Sequence, residues 1–215
     1  MISSEELGDF MKKLLTLSGN IGVGKTTLGK HLSDRATACW LPENAYSAQF
    51  EHLIIDTRCS NKTIMQMAFS SMRVATILSA LLDRNNQHVV AERSIRDSIV
   101  FHKAWVKIGS FEDDWNFYSE FYEKLFRFDL NDYNYDETII WLKCPIPILL
   151  ERLSKRSQIS DMAHTENLLY ALESEYNEMF HMISGKCNII EFETQNIDLS
   201  TEGINEFTTY VMASI

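Results

Sequence analysis

A phosphate-binding loop is the feature that most constrains what this chain can fold into. Residues 19–26 read Gly-Asn-Ile-Gly-Val-Gly-Lys-Thr, which fits the pattern G-x-x-x-x-G-K-S/T without a mismatch. Residues 12–18 predict a short buried strand and residues 27–32 a helix, so the glycines lie at a strand-to-helix turn. There the backbone N–H groups and the positive end of the helix dipole face a polyphosphate. The sequence therefore predicts a polyphosphate site; a glycine-rich turn without a ligand is the alternative.

Two side chains of this loop carry specific chemistry. Lys25 can reach the β- and γ-phosphates of a nucleotide, and the hydroxyl of Thr26 can ligate a magnesium ion. Glycine lets the backbone approach the phosphates closely. The predicted nucleotide-binding residues are Gly19, Asn20, Ile21, Gly22, Val23, Gly24, Lys25, Thr26 and Thr27.

The composition suits one globular domain over residues 1–215, because 45 % of the residues are hydrophobic and 23 % are charged. A net charge of −10 argues against a general nucleic-acid or anionic-membrane surface. The four cysteines form no C-x-x-C pair, which favours reduced thiols over a zinc site. The amino-terminal segment resembles no signal peptide, and no apolar run reaches the roughly 18 residues of a membrane helix. We therefore expect a cytoplasmic protein.

Five predicted strands alternate with predicted helices along the chain. The strands are expected at 12–18, 36–41, 88–93, 137–144 and 186–192. The longer helices are expected at 62–84, 97–107, 111–130, 148–156, 165–183 and 201–212. This alternation predicts an α/β fold of the phosphate-loop NTPase type, with a five-stranded parallel sheet covered by helices on both faces.

The third strand and the helix at 111–130 carry further signals. The strand ends in Glu92 and Arg93, and the carboxyl ends of parallel strands are where α/β proteins bind their ligands.

In the helix at 111–130, aromatic residues recur at helical spacing, which favours helix core over a base-stacking surface. These residues are Trp115, Tyr118, Phe121, Tyr122 and, with them, Leu125.

Over residues 12–191 the chain resembles the deoxynucleoside kinases, which include deoxycytidine, deoxyguanosine and mitochondrial thymidine kinases and the insect multisubstrate enzyme. The matching segments, in order, are residues 19–27, Pro42-Glu43, Glu92-Arg93-Ser94, Gly109-Ser110-Phe111 and Glu151-Arg152-Leu153 with Arg156. A phosphate loop alone indicates only a superfamily, whereas its combination with the Glu-Arg-Ser triplet is far more specific. The resemblance implies ATP-dependent transfer of a phosphoryl group to the 5′-hydroxyl of a deoxynucleoside, with magnesium.

The resemblance also implies roles for individual residues. Glu43 resembles the general base that takes the proton from the 5′-hydroxyl; a surface acid that caps a helix is the alternative. Glu92 resembles the carboxylate that works with Thr26 at magnesium. Arg93 resembles the arginine that orients Glu43 and the 5′-oxygen, although by itself Glu92-Arg93 would be an ordinary exposed ion pair.

Arg152 and Arg156 have i,i+4 spacing and so lie on one helix face. They lead into the segment, at about 152–163, that closes over the ATP phosphates in the family. Guanidinium groups there would stabilise the charge that develops on the transferred phosphoryl group. A solvated basic helix face is the alternative.

The acceptor pocket departs from the family pattern. Ser70, after Phe69, takes the position of the glutamine that pairs with the base. Gln66, one turn earlier on the same face, is a candidate substitute, and Arg73 can also reach the pocket. An arginine and aspartate pair typical of members that favour purines or deoxycytidine is replaced here by Ile77 and Ser98, which weakly favours a thymidine-like pocket. The base preference stays open.

Three more positions concern the sugar and the closing segment. Gln158 takes the place of the second arginine of that segment. Asp161 lies near the position of the glutamate that meets the 3′-hydroxyl, and Tyr46 is the nearest candidate for the tyrosine that shares this hydroxyl.

The sequence thus supports three hypotheses. The first is a deoxynucleoside kinase, which in this family commonly forms a homodimer through helices on one side of the sheet. The second is a deoxynucleoside monophosphate kinase, in which Arg73 or Arg96 would meet the acceptor phosphate. The third is a nucleotide-binding module with weak or no catalysis, suggested by Ser70 and Gln158.

Overall fold

The structure, a computed structural model, describes residues 12–43, 62–86, 88–111, 115–126, 135–156, 162–195, 197 and 201–215. Five strands form one sheet in the order β2-β3-β1-β4-β5, and all of its neighbouring strands are parallel. The strands are β1 (Lys12–Gly19), β2 (Cys39–Leu41), β3 (His88–Glu92), β4 (Tyr135–Lys143) and β5 (Asn188–Glu193). The predicted fold class is confirmed.

Seven helices lie within the described residues. They are α1 (Lys25–Ala36), α2 (Lys62–Leu82), α3 (Asp97–Lys107), α4 (Trp115–Phe126), α5 (Ile146–Lys155), α6 (Met162–Ile183) and α7 (Thr201–Ser214). Helix α5 begins two residues before its predicted start. Pro145 is its N-cap and Pro147 lies in its first turn, where a proline costs no intrahelical hydrogen bond.

Apolar side chains cover both faces of the sheet. Successive residues of a strand point to opposite faces, so Leu15 and Leu17 contribute to one cluster and Leu14 to another. Helices α1, α5 and α7 supply the first cluster, and α2 packs on Leu14 and Val89 on the opposite face. Helices α3 and α6 pack around Ile139 of β4. This double coverage explains why the strands read as nearly continuous apolar runs.

The sheet order brings three chain segments to one edge. β1 lies between β3 and β4, and Leu17 of β1 is in register with Glu92 of β3. Leu41 of β2 is in register with Ala91, so Glu43 follows at the same end of the sheet. The phosphate loop, Glu43 and Glu92 therefore meet where parallel sheets bind ligands.

Two further predictions concern membranes and thiols. None of the described helices combines the length and the apolar character needed to cross a membrane. Cys39, Cys144 and Cys187 are free thiols, and Cys59 lies outside the described residues.

Candidate active site

The phosphate loop adopts a backbone that only glycine tolerates easily. Gly19, the last residue of β1, has φ +138°, and Gly24, directly before α1, has φ +102°. A Cβ atom added to Gly19 would lie 2.3 Å from the carbonyl oxygen of Leu142 in the neighbouring strand. The glycines of the motif are therefore required by the fold of the turn itself.

Lys25 is folded into this loop. Its ammonium group donates hydrogen bonds to the carbonyl oxygens of Gly19 (3.0 Å) and Asn20 (2.8 Å). Burial, and after it the nearby Arg93, lowers the pKa of Lys25 to about 7. Asn20 in turn donates to the backbone carbonyl of Leu169 at 2.9 Å, which fixes the loop against helix α6. The cation of the loop is thus held among backbone groups at the start of α1.

Thr26 and Glu92 form a pair of oxygen donors beside the loop. The Thr26 hydroxyl donates to Glu92 Oε1 at 2.6 Å, and the backbone N–H of Glu43 donates to Glu92 Oε2 at 3.1 Å. Hydroxyl and carboxylate oxygens are ligands that Mg²⁺ accepts. No group of three or more His, Cys, Asp or Glu side chains suited to a metal occurs among the described residues. The two oxygen donors would suit a magnesium ion, which needs only one or two protein ligands when it binds together with a nucleotide.

Glu43 is ion-paired with two arginines. Arg93 Nε donates to Glu43 Oε1 at 2.6 Å, and Arg73 Nη2 lies 3.8 Å from the same oxygen. Burial alone would raise the pKa of Glu43, but Arg93, Arg73 and Lys25 together hold it below its ordinary value. The side chain is still 36 % exposed. Glu43 is therefore an ionised carboxylate at neutral pH that a bound molecule can reach.

Three buried polar residues that were not predicted as site residues, Ser18, Asp97 and Tyr176, form one hydrogen-bonded group beside Arg93. Asp97 accepts hydrogen bonds from the hydroxyls of Ser18 (2.6 Å) and Tyr176 (3.0 Å), and lies 3.5 Å from Arg93 Nη1. One signal for Asp97 was available, because it follows Arg93 by four residues at the start of a helix. Tyr176 gave no such signal, since it is 79 residues away from Asp97 in the sequence.

Four predicted pocket residues come together between α2 and α3. Arg73 Nη1 donates to Ser98 Oγ at 2.6 Å, and Gln66 Nε2 donates to the backbone carbonyl of Ser98 at 3.4 Å. The Ser70 hydroxyl donates to the backbone carbonyl of Gln66 at 2.7 Å and lies 2.8 Å from the Tyr122 hydroxyl. Ser70 is fully buried, and its hydroxyl is satisfied by protein groups. The Ser70 hydroxyl therefore bonds to protein groups and is not exposed at the surface, as a side chain that pairs with a base would have to be.

Other predicted residues lie on α2, at the end of α5 and directly before α3. Phe69 is half-buried on α2. Arg152 Nη2 donates to the backbone carbonyl of Thr194 at 2.7 Å, which links α5 to the end of β5, and Arg156 is exposed where α5 ends. Arg96 pairs with Glu137 of β4. Three predicted residues lie outside the described residues: Tyr46, Gln158 and Asp161.

Four of the five predicted core residues of α4 face the interior; the side chain of the fifth, Trp115, lies outside those that the structure describes. Tyr118 and Tyr122 are buried, and Phe121 and Leu125 are half-buried. Tyr118 stacks on the ring of His102 in α3, with centroids 3.6 Å apart. Tyr122 combines this core position with its contact to Ser70.

Comparison with known sequences gives a family match and two kinds of relative. The family model described as deoxynucleoside kinase matches residues 15–214. A probable deoxycytidine kinase of fowlpox virus is 28 % identical over 182 residues, which cover 79 % of this chain and 68 % of the relative. The mitochondrial NADH dehydrogenase 1 alpha subcomplex subunit 10 of Bos taurus is 23 % identical over 225 residues, covering 92 % of this chain. The chain spans 64 % of the length of that bovine relative.

Comparison with solved structures supports the same fold. The deoxyadenosine kinase of M. mycoides with bound dATP matches with a TM-score of 0.68 and 18 % identity, covering 92 % of this chain and 98 % of that one. The same enzyme with bound dCTP matches with a TM-score of 0.67 and 17 % identity, covering 94 % of this chain and 100 % of that one. Since the family model extends from β1 through α7, this chain belongs to the deoxynucleoside kinase family.

Proposed function

We propose that this protein transfers the γ-phosphoryl group of ATP to the 5′-hydroxyl of a deoxynucleoside. The observation that carries the proposal is the direct contact between the two halves of the site. Glu43 bonds through its backbone N–H to Glu92, which accepts from Thr26 of the phosphate loop, and through its carboxylate to Arg93. A proton acceptor is thus placed next to a loop suited to a polyphosphate, which is what phosphoryl transfer requires.

In this mechanism the loop amides and Lys25 bind the phosphates of ATP. Thr26 and Glu92 would hold magnesium, which neutralises charge on the phosphates. Glu43 accepts the proton of the 5′-hydroxyl while the 5′-oxygen bonds to the γ-phosphorus and the bond to ADP breaks. Arg93 keeps the Glu43 carboxylate oriented.

The remaining nucleotide contacts belong to the same proposal. Arg152 and Arg156 lie at the start of the predicted closing segment, 152–163, and would meet the charge that develops during transfer. The acceptor pocket would comprise Gln66, Phe69, Ser70, Arg73 and Ser98, joined by Tyr46 and Asp161. Ile77 lies in the core and Ser98 accepts a hydrogen bond from Arg73, so these two positions lack the arginine and aspartate pair of members that favour purines or deoxycytidine.

The two alternative functions have weaker support. A monophosphate kinase needs cations for the acceptor phosphate, but Arg96 is paired with Glu137, and Arg73 is bonded to Ser98. A binding module without catalysis needs no general base, yet Glu43 is held by Arg93 at the edge of the phosphate loop. The family match likewise favours an enzyme.

A homodimer in the cytoplasm, built from a single kinase domain, completes the proposal. From Thr63 to Leu82, the only charged residue of α2 is Arg73, which is buried. Ile64 and Leu82 on the same helix are 58 % and 61 % exposed. A helix with an uncharged outer face is suited to pack against a second copy of the chain.

A coupled ATP-consumption assay tests the function. It uses magnesium and eight acceptors: thymidine, deoxycytidine, deoxyadenosine, deoxyguanosine and their monophosphates. Turnover of one or more nucleosides that the Glu43→Gln variant loses would support the proposal. Turnover of monophosphates alone would change the acceptor class, and ATP binding without any turnover would favour the binding module.

A further inference from the structure

Arg93 is held in an unusual backbone conformation. Its φ of +77° lies in the left-handed region, which a non-glycine residue adopts only when its surroundings compensate for the strain. Its backbone N–H donates to the carbonyl oxygen of Leu17 at 2.9 Å, which anchors it to β1. The Arg93 side chain therefore leaves the sheet in a direction that ordinary strand geometry would not give.

The two ends of the Arg93 guanidinium contact different groups. Nε donates to Glu43, whereas Nη1 lies 3.3 Å from the Tyr176 hydroxyl, 3.4 Å from the carbonyl oxygen of Gly19 and 3.5 Å from Asp97 Oδ2. The guanidinium carbon also lies 4.4 Å from the centre of the Phe101 ring, one turn after Asp97 on α3. Asp97 and Phe101, on the first two turns of α3, thus contact the guanidinium group whose Nε bonds to Glu43.

Asp97 is itself fixed by three elements of the fold. It is the first residue of α3 and is completely buried. The hydroxyl of Ser18, directly before the phosphate loop, and that of Tyr176 on α6 each donate to one of its carboxylate oxygens. Its position is therefore tied to β1, α3 and α6 at once.

Burial makes the Asp97 carboxylate dependent on its hydrogen-bond and charge partners. Burial raises the pKa of Asp97 above its ordinary value, although Arg93 and Ser18 act in the opposite direction. A carboxylate whose pKa is raised by folding lowers the free energy of unfolding at every pH above its folded-state pKa, compared with a neutral side chain. The contacts with Ser18, Tyr176 and Arg93 partly offset the cost of burying this charge, and the same contacts fix the position of the carboxylate.

We propose that Asp97 is a positioning residue, which holds Nη1 of Arg93 so that Nε is presented to the Glu43 carboxylate. The inference rests on the proposed kinase function and assigns Asp97 a part in it. Ser18 extends the link to the phosphate loop, so the same carboxylate connects the phosphate-binding and acceptor halves of the site.

The first test is the Asp97→Asn variant, which preserves shape and removes the charge. The kcat for nucleoside phosphorylation is expected to fall about 10- to 100-fold, because a misplaced catalytic group costs about this much. The KM for ATP and the thermal unfolding midpoint are expected to stay close to those of the unmodified protein. An unchanged kcat would overturn the inference. So would a lower kcat accompanied by a lower unfolding midpoint, because loss of folded protein would then account for the lost activity.

Glu175→Gln is the matched control. Glu175 directly precedes Tyr176, is also buried, and pairs with Lys103 and Lys107 of α3. This variant is expected to lower the unfolding midpoint while kcat stays unchanged. If Asp97→Asn fails to fold, Tyr176→Phe replaces it: loss of the hydroxyl that contacts both Asp97 and Arg93 should reduce kcat by a smaller factor, and an unchanged kcat would count against the inference.

A double-mutant cycle then shows whether Asp97 acts through Arg93. In an Arg93→Ala background, the added Asp97→Asn change is expected to have no further effect on kcat. A further reduction as large as that in the unmodified protein would refute the positioning role. Absence of turnover in the unmodified protein would instead count against the kinase function itself, so the two failures are distinguishable.

Discussion

The phosphate loop and the proposed acceptor pocket are built in different ways. The loop is one continuous stretch, residues 19–26, and its backbone conformation and amide groups form the site. The pocket is formed by side chains of α2, α3 and α4, such as Arg73, Ser98 and Tyr122, which packing brings together. A site formed by backbone depends on a few glycines and is readable as a motif. A site formed by packed side chains varies one residue at a time, which is how specificity changes while the chemistry stays.

The largest effect is expected for the loop lysine. In Lys25→Ala, turnover should fall at least about a thousandfold, because the charge that meets the transferred phosphoryl group is lost. Lys30→Ala on the same helix removes an exposed lysine and should leave turnover unchanged. The measurement is steady-state ATP consumption together with a binding titration of ATP. Full turnover in Lys25→Ala would contradict the central role of the loop.

The next largest effect is expected at the junction of the two regions. In Glu43→Gln, kcat should fall about 100- to 1,000-fold, because the amide cannot accept the proton of the 5′-hydroxyl. The affinity for ATP should change little, since Glu43 bonds to Glu92, the acceptor for Thr26 of the loop, through a backbone N–H that the substitution keeps. Glu123→Gln, which alters an exposed acid of α4, is the control. A weakened ATP affinity with normal kcat would mean that Glu43 contributes to nucleotide binding and not to proton transfer.

The sequence predicted the elements of this fold more completely than it predicted the contacts of the site. Short apolar runs indicated all five strands, most clearly the three central strands β3, β1 and β4, whose residues are mostly buried. The sequence pattern could not show that Arg96 pairs with Glu137, or that Tyr176 of α6 donates a hydrogen bond to Asp97. Both contacts join elements that are far apart in the sequence. Side-chain pairing across the sheet face depends on packing, which no local pattern records.

A smaller effect, confined to the acceptor side, is expected for Arg73→Met. The change removes the hydrogen bond to Ser98 and one of the cations near Glu43, so kcat/KM for the nucleoside should fall about tenfold or somewhat more. The KM for ATP should not change. Arg84→Met, at an exposed arginine just after α2, is the control. Equal losses in kcat/KM for the nucleoside and for ATP would mean that Arg73 affects nucleotide binding as much as nucleoside binding.

The smallest effect is expected for Ser70→Ala, although this position is the one where the family pattern places a base-reading glutamine. The Ser70 hydroxyl is directed to the Gln66 carbonyl and the Tyr122 hydroxyl, and none of its surface is exposed. Its loss removes two buried hydrogen bonds between protein groups, each worth about 1 kcal/mol, and should lower the unfolding midpoint. The ratio of kcat/KM values among the four nucleosides should stay within about threefold of the unmodified protein's. Parallel assays with all four nucleosides check this, and a changed ranking would show that Ser70 contacts the base. Retained ranking would mean that base recognition has moved to other side chains, of which Gln66 and Arg73 face Ser98.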